Sequence, residues 1–301
     1  MHRYGRGVRS AALTGLAGRV ARDAPRLASG LAVEAAWSAT HLLTYPLGLL
    51  PGSTARASRR QGFTDLGPHQ RGLIHADLDA ATTPILLVHG IVDNHSVFSV
   101  LDRALRQRGF ETVAVYDYAV LTRDVPTAAE RLGEAVASLV RTSGHERVHV
   151  VGHSLGGLLA RYFVQRLGGD AYVHTLVTLG TPHGGTELAR LAPRAFPLVR
   201  QLSPRSPVIR ELAEPAPGCR TRFLAFSSDL DHLVVPSRNA RIEHPDLAAT
   251  NVAVRGVGHL SLSIDRRVAR QIATALSALD PASAAGPSKS SASGPDSRVP
   301  V

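Results

Sequence analysis

From residue 84 onward the chain carries six short, β-branched, apolar runs: PILLVHG (84 to 90), ETVAVYDY (111 to 118), RVHVVGH (147 to 153), VHTLVTLG (173 to 180), TRFLAFSSD (221 to 229) and TNVAVRGVGH (250 to 259). Apolar runs of this length suit strands buried on both faces. Stretches of helical period stand between most of them: VFSVLDRALRQRG (97 to 109), PTAAERLGEAVASLVRTSG (126 to 144) and LGGLLARYFVQRLGG (155 to 169). Strand alternating with helix predicts an α/β fold, a mostly parallel sheet with helices on both faces.

Composition narrows the class further. An apolar content of 44% with 19% charged residues is ordinary for a globular protein and excludes disorder of the whole chain. The net charge of +10 is carried almost entirely by arginine, Lys289 being the one lysine. Part of it is local, with Arg3, Arg6, Arg9, Arg19, Arg22 and Arg26 set against Asp23. No nucleic-acid-binding motif accompanies this charge, so no nucleic-acid partner is expected. Cys219 is alone and reads as a small filler beside a Pro-rich loop.

Four segments are expected. Residues 1–27 form a basic N-terminal segment, read as a disordered tail, a targeting segment or a membrane-surface anchor. Residues 28–52 form an apolar helix, packed on the body or lying on a membrane surface. A catalytic domain occupies 53–280, and the Ser/Pro/Ala/Gly-rich residues 281–301 form a disordered tail. The apolar stretch of 27 to 51 is long enough to span a bilayer but carries Glu34 and His41 and meets Pro46. AALTGLAG (11 to 18) is short and stops at Arg19, so no cleaved signal peptide is expected. The expected location is cytoplasmic, with membrane association through the apolar segment.

VVGHSLGGLLARYF (150 to 163) places Ser154 between glycines where an apolar run gives way to a helix-like stretch. Gly-x-Ser-x-Gly arises by chance in roughly one chain in ten of this length, so its context decides. In open parallel sheets the working groups gather at the carboxyl ends of strands, and Ser154 lies one residue past such an end. A sharp strand-to-helix turn needs glycine at 152 and 156 for clearance, and Gly157 extends it. The turn also aims the following helix at the hydroxyl, making the Leu155 amide a candidate oxyanion donor.

A nucleophilic serine needs a base, and the base needs a carboxylate. SSDLDHLVVP (227 to 236) and GVGHLSL (256 to 262) each follow a predicted strand, in the order acid then histidine. His259 is the candidate base. Asp229 and Asp231 both qualify as the acid. Asp231 is preferred because Val-Val-Pro then carries the loop away, whereas Asp229 is nearer the strand. His232 is a loop neighbour. HGIVDN (89 to 94) follows the first core strand, where Gly90 permits a turn and the Ile91 amide becomes the second oxyanion donor. His89 is expected to brace that loop, and His153 to pack or orient beside the nucleophile.

About forty residues separate Gly180 from Thr221, too many for a plain connection, so a cap over about 183–218 is expected. Leu188, Leu191, Phe196, Leu198, Val199, Leu202, Val208, Ile209 and Leu212 would give it an apolar face to cover an acyl chain, the alternative being a packed surface insertion.

HGIVDNHSVF, VVGHSLGGLLARYF, TLGTPHGGT, DLDHLVVP and GVGHLSL, in this order, resemble the α/β-hydrolase superfamily. More closely they are similar to bacterial triacylglycerol lipases and relatives that share the Leu-Gly-Thr-Pro-His-Gly-Gly-Thr segment, including the GPI inositol-deacylase type. The resemblance covers roughly residues 82 to 275. It implies Ser154 as nucleophile, Asp231 as acid, His259 as base and the amides of Ile91 and Leu155 as oxyanion hole. It further implies that TPHGGT (181 to 186), with Thr181 and His183, lines the substrate site, His183 positioning rather than catalysing, and His89, Gly90 and His153 are the further substrate-binding candidates. The bracing disulfides and metal of many secreted members do not carry over to a chain with one cysteine and no clear ligand cluster. The expectation is therefore a serine carboxylic ester hydrolase of lipase or esterase type, without cofactor, acting on lipid esters. Acyl transfer or thioester hydrolysis by the same triad is the alternative, and a non-catalytic, membrane-recruited binding module is the rival of another class. Oligomeric state is not legible.

Overall fold

Alternation along each strand divides the core of the protein into two layers. The computed structural model describes residues 58–59, 78–91, 95–118, 124–194 and 196–277. The expected segments 1–27, 28–52 and 281–301 lie outside these. Seven strands are described: β1 (Ser58–Arg59), β2 (Ile85–Val88), β3 (Thr112–Tyr116), β4 (Val148–His153), β5 (Val173–Leu179), β6 (Arg222–Leu230) and β7 (Ala248–Gly258). They form one sheet in the order β1-β3-β2-β4-β5-β6-β7. Only the β1–β3 pairing is antiparallel among the described strands. The mostly parallel sheet of the sequence reading is thus observed, and all six predicted strands are present within two residues at each end.

Every described residue of β2, β4 and β5 is buried, as strands covered on both faces require. Because successive side chains point to opposite faces, Leu86, Val150, Leu176 and Phe223 join one core layer, while Ile85, Val151, Val177 and Phe226 join the other. The first layer is covered by α3 (Val125–Ser143) and α4 (Leu155–Arg166), through Leu132, Val136, Leu158 and Leu159. The second is covered by α2 (Ser99–Arg108) and α7 (Arg266–Leu276), through Leu101, Leu105, Val268 and Ile272. A short α1 (Leu78–Thr82) precedes β2.

Helix ends follow local chemistry. The Asp124 carboxylate accepts the Thr127 amide at 2.8 Å to start α3, with Pro126 in the first turn. Gly144 ends that helix at φ 76°, a left-handed conformation that glycine adopts without Cβ strain. Asp265 caps α7 through the amides of Arg267 and Val268. The sequence reading assigned no helix to this last segment.

The insertion between β5 and β6 is split, not a single apolar face. Short helices α5 (Pro197–Arg200) and α6 (Pro207–Glu211) bury Leu198, Leu202, Val208, Ile209 and Leu212 in the same layer as α3 and α4. Only Leu188, Leu191 and Phe196 of the expected face are exposed. One side of α4 clamps the insertion. Tyr162 donates to the Glu211 carboxylate at 2.9 Å, Arg166 to the Glu214 carbonyl at 2.7 Å, and Arg161 to the Leu212 carbonyl at 3.0 Å. Burial pulls the Arg161 guanidinium down to about 10, still charged at neutral pH. The second half of the insertion is therefore part of the body. Cys219 is half-buried against Asp170, and burial pushes its thiol up to about 11.

His149 on β4 is fully buried, edge-on to His174 at 5.3 Å between ring centroids, and neither of its ring nitrogens has a hydrogen-bond partner. Burial, helped by His174, Arg222, Arg147 and His145, holds its pKa well below the ordinary histidine value. The unfolded chain takes up a proton near pH 6.5 that the folded protein refuses, so His149 subtracts stability as pH falls below that value. His149→Phe removes two unsatisfied atoms at similar volume. It is expected to raise stability at pH 7 by about 1 kcal/mol and to flatten the loss of stability between pH 7 and 5, read from urea midpoints. Equal slopes for both proteins would show that this ring is not the source.

Candidate active site

Four strand ends meet where the sequence reading placed the site. β4 ends at His153, and the Ser154 amide donates to the Leu179 carbonyl at the end of β5, at 2.8 Å. Ser154 has φ 53° and ψ −122°, and it is the one non-glycine residue with positive φ among the described residues. Such a conformation costs of order 1–3 kcal/mol and persists only where packing enforces it. Here the enforcement is close approach. A Cβ on Gly152 would lie 2.4 Å from the Gly157 Cα, and one on Gly156 would lie 2.3 Å from the Val88 carbonyl oxygen. Thr181 adds a tie, its hydroxyl donating to the Ser154 carbonyl at 2.9 Å.

Register supplies the next two residues. A bulge between Ser228 and Leu230 lets β6 run on until Leu230 pairs with Gly258 of β7. Asp231 and His259 are the residues immediately past that pair. The His259 Nδ1–H donates to Asp231 Oδ2 at 2.7 Å, with both side chains almost completely shielded from solvent. Burial alone would raise the Asp231 carboxyl. The His259 hydrogen bond and the amides of Val234 and Leu233 outweigh it and hold the group below the ordinary carboxylate range. Asp229 points elsewhere and accepts the Gly256 amide at 2.8 Å, so of the two candidate acids only Asp231 meets the histidine. His232 is exposed.

The neighbouring histidines have structural partners. His153, fully buried, donates from Nε2 to the His259 carbonyl at 3.1 Å, with ring centroids 4.9 Å apart. His89 donates from Nδ1 to the Gly90 carbonyl at 2.8 Å and stacks on Tyr118 at 4.6 Å. Tyr118 closes the brace by donating to the His89 carbonyl at 3.0 Å, while Asp117 lies 3.5 Å from Nε2. A trans peptide directs its C=O and N–H in opposite senses, so pinning the Gly90 carbonyl also fixes the direction of the Ile91 amide. The Leu155 amide opens α4, where the first amides have no acceptor inside the helix. Asp117 and Tyr118 were missed in the sequence. The signal was their place just past β3.

Thr181 and His183 are buried and engaged with the framework, His183 sharing a 2.9 Å hydrogen bond between its Nε2 and the Thr178 hydroxyl. The segment they belong to is sewn to the loop after Asp231. Thr186 donates to the Leu233 carbonyl at 2.8 Å and accepts the Val235 amide at 3.0 Å, and Asn239 donates to the Gly185 carbonyl at 2.8 Å. Among the described residues no group of three or more His, Cys, Asp or Glu could hold a metal ion.

Comparison with known proteins identifies the fold. A family model described as alpha/beta hydrolase fold matches residues 83–242, over half of the chain, and the protein belongs to that family. The match includes Ser154 and Asp231 and stops before His259. The chain is 31% identical over 124 residues to a triacylglycerol lipase of Burkholderia plantarii, covering 38% of this chain and 34% of that relative. It is 31% identical over 122 residues to one of Pseudarthrobacter phenanthrenivorans, covering 38% of each. The aligned region thus spans little more than a third of these relatives. Among solved structures, the mature form of a Bacillus licheniformis lipase superposes with a TM-score of 0.57 at 18% identity, covering 75% of this chain and 99% of that one. Aspergillus fumigatus lipase B gives 0.58 at 16%, covering 73% and 57%. These two likenesses establish the fold.

Gly180 joins the parts. It has φ 56°, and a Cβ there would lie 3.0 Å from both Asp231 Oδ2 and His259 Nδ1. Gly180→Ala is expected to cost about 1–2 kcal/mol from the backbone alone and to break the Asp231–His259 hydrogen bond. Loss of the low-field Nδ1 proton resonance of His259 would report that break. A variant as stable as the parent, with the resonance retained, would contradict the packing described.

Proposed function

We propose that the protein is a serine carboxylic ester hydrolase in which Ser154 is the nucleophile, His259 the general base and Asp231 the orienting acid. The observation that carries this reading is the dry Asp231–His259 pair set against the strained Ser154 turn across Gly180. In this reading the Ser154 hydroxyl attacks the ester carbonyl and passes its proton to His259 Nε2. The Asp231 carboxylate, kept ionised by its hydrogen bonds, holds the tautomer with Nδ1 protonated and stabilises the imidazolium. The Ile91 and Leu155 amides stabilise the oxyanion. The proton then passes to the departing alcohol, leaving an acyl-enzyme, and water, deprotonated by His259, releases the carboxylic acid and restores Ser154.

An apolar acyl group is favoured by the surface beside the site. Leu188, Leu191, Phe196, Leu233 and Val235 are all exposed, and the Thr186 bonds join their two segments next to Asp231. The printed names of the relatives, triacylglycerol lipases, point the same way. No helix among the described residues is long and apolar enough to cross a membrane.

A series of p-nitrophenyl esters of increasing chain length tests the reading. Wild type is expected to turn over, with Ser154→Ala and Asp231→Asn each reduced by about 10³-fold or more in kcat, while Asp229→Asn retains nearly full turnover. Equal loss in both aspartate variants, or activity surviving in Ser154→Ala, would sink the assignment. His89→Ala is expected to lower kcat by about 10-fold or more with little change in KM, since it frees the Gly90–Ile91 peptide rather than touching substrate. A change confined to KM would place His89 in the substrate pocket instead.

A further inference from the structure

On the face of the sheet away from the α4 layer, α2 and α7 leave an open groove of about 1050 Å³. Four arginines line it, Arg103 and Arg108 from α2 and Arg266 and Arg270 from α7, and among the described residues no carboxylate does. Its remaining lining includes Ala104, Ala269 and Ala273, small side chains that keep the floor open. The nearby carboxylates are already committed. Asp102 is held by Arg106 at 2.9 Å, and Asp265 pairs with Arg267 at 3.0 Å while capping α7. Among the described residues, the side chains of the four groove arginines have no hydrogen-bond or ion-pair partner. Arg266 and Arg270 lie four residues apart, about 6 Å along their helix, so their guanidinium groups face the same groove from successive turns.

A second depression, of about 460 Å³, shares Arg108 and Arg270 with the first. Its floor is the sheet itself, at Leu224, Phe226 and Val252, and its lining is mainly apolar. Guanidinium groups at the rim of an apolar trough suit one ligand chemistry, an aliphatic chain ending in an anion. The planar guanidinium fork pairs a carboxylate through two parallel hydrogen bonds, and the trough removes the chain from water. A flat bilayer surface would meet the arginines without reaching the floor of the trough, which favours a single molecule over a membrane.

We propose that the groove between α2 and α7 binds a long-chain carboxylate, its head on the arginines and its chain over β6 and β7. Identifying that ligand as the product of ester hydrolysis rests on the function proposed above, whereas the binding site does not. None of the residues that line the groove or the trough belongs to the Ser154 centre.

The test is direct binding of oleate, below its micellar concentration, to the full chain by titration calorimetry, with oleyl alcohol as the uncharged probe of equal chain length. Wild type and Ser154→Ala are expected to bind oleate alike and to bind oleyl alcohol far more weakly. The Arg108→Gln/Arg270→Gln double variant is expected to lose affinity for oleate by about tenfold or more, while its hydrolysis of a short ester stays unchanged. Oleate affinity that is indifferent to the two substitutions overturns the proposal, because the fatty acid then binds elsewhere on the protein. Tighter binding to anionic phospholipid vesicles than to monomeric oleate, lost in the same variant, overturns it in favour of a membrane surface. Should ester hydrolysis fail while arginine-dependent oleate binding holds, the groove stands and only the ligand's origin as product falls.

Discussion

The parallel alignment of β4, β5, β6 and β7 is the constraint on which the site depends. β4 and β5 stop together at the His153–Leu179 pair, whereas β6 runs four residues beyond the Leu179–Phe226 pair until Leu230 meets Gly258 of β7, and the residues just past these ends, Ser154, Gly180, Asp231 and His259, make up the proposed site. Hydrogen-bonded register brings these four positions together, although Ser154 and His259 are more than a hundred residues apart in the chain. Loops alone would not hold them so. The Leu230–Gly258 pairing matters most, because it turns two separate loops into neighbours and forces the aspartate against the imidazole in a space closed to water.

Strain and packing balance around Ser154. Its backbone is held in a region that L-residues avoid, and the compensation is the close seating of α4 on β2, β4 and β5, with nearly every side chain of its first ten residues buried. The same helix carries Arg161, Tyr162 and Arg166 on the side that clamps the insertion. A single element therefore positions the serine at its start and ties down the second half of the β5–β6 insertion along its length. The part of the insertion outside this clamp is where Leu188, Leu191 and Phe196 are exposed.

Much of this was legible in the sequence, for physical reasons that can be named. β-branched runs buried on both faces announce themselves by composition, and the glycines at 152 and 156 gain their meaning from standing at the end of such a run, where a helix begins. Asp231 was preferred to Asp229 on the Val-Val-Pro that follows it, but the bulge at Ser228 that decides which residue stands past the strand end was not legible. The insertion was misread as one apolar face because Pro193, Pro197, Pro204 and Pro207 break it into short helices, each with its own direction. The α4 clamp and the Tyr118–His89 brace depend on partners far away in the chain, which local patterns do not encode.

Labelling with a fluorophosphonate, followed by peptide mass spectrometry, tests the central claim most directly. The account predicts a single adduct on Ser154 in the native protein, abolished by unfolding in urea and strongly slowed in Asp231→Asn, since the serine is reactive only where the aligned strand ends present it to an oriented histidine. An adduct on another serine, or equal labelling of the native and unfolded chains, would contradict it.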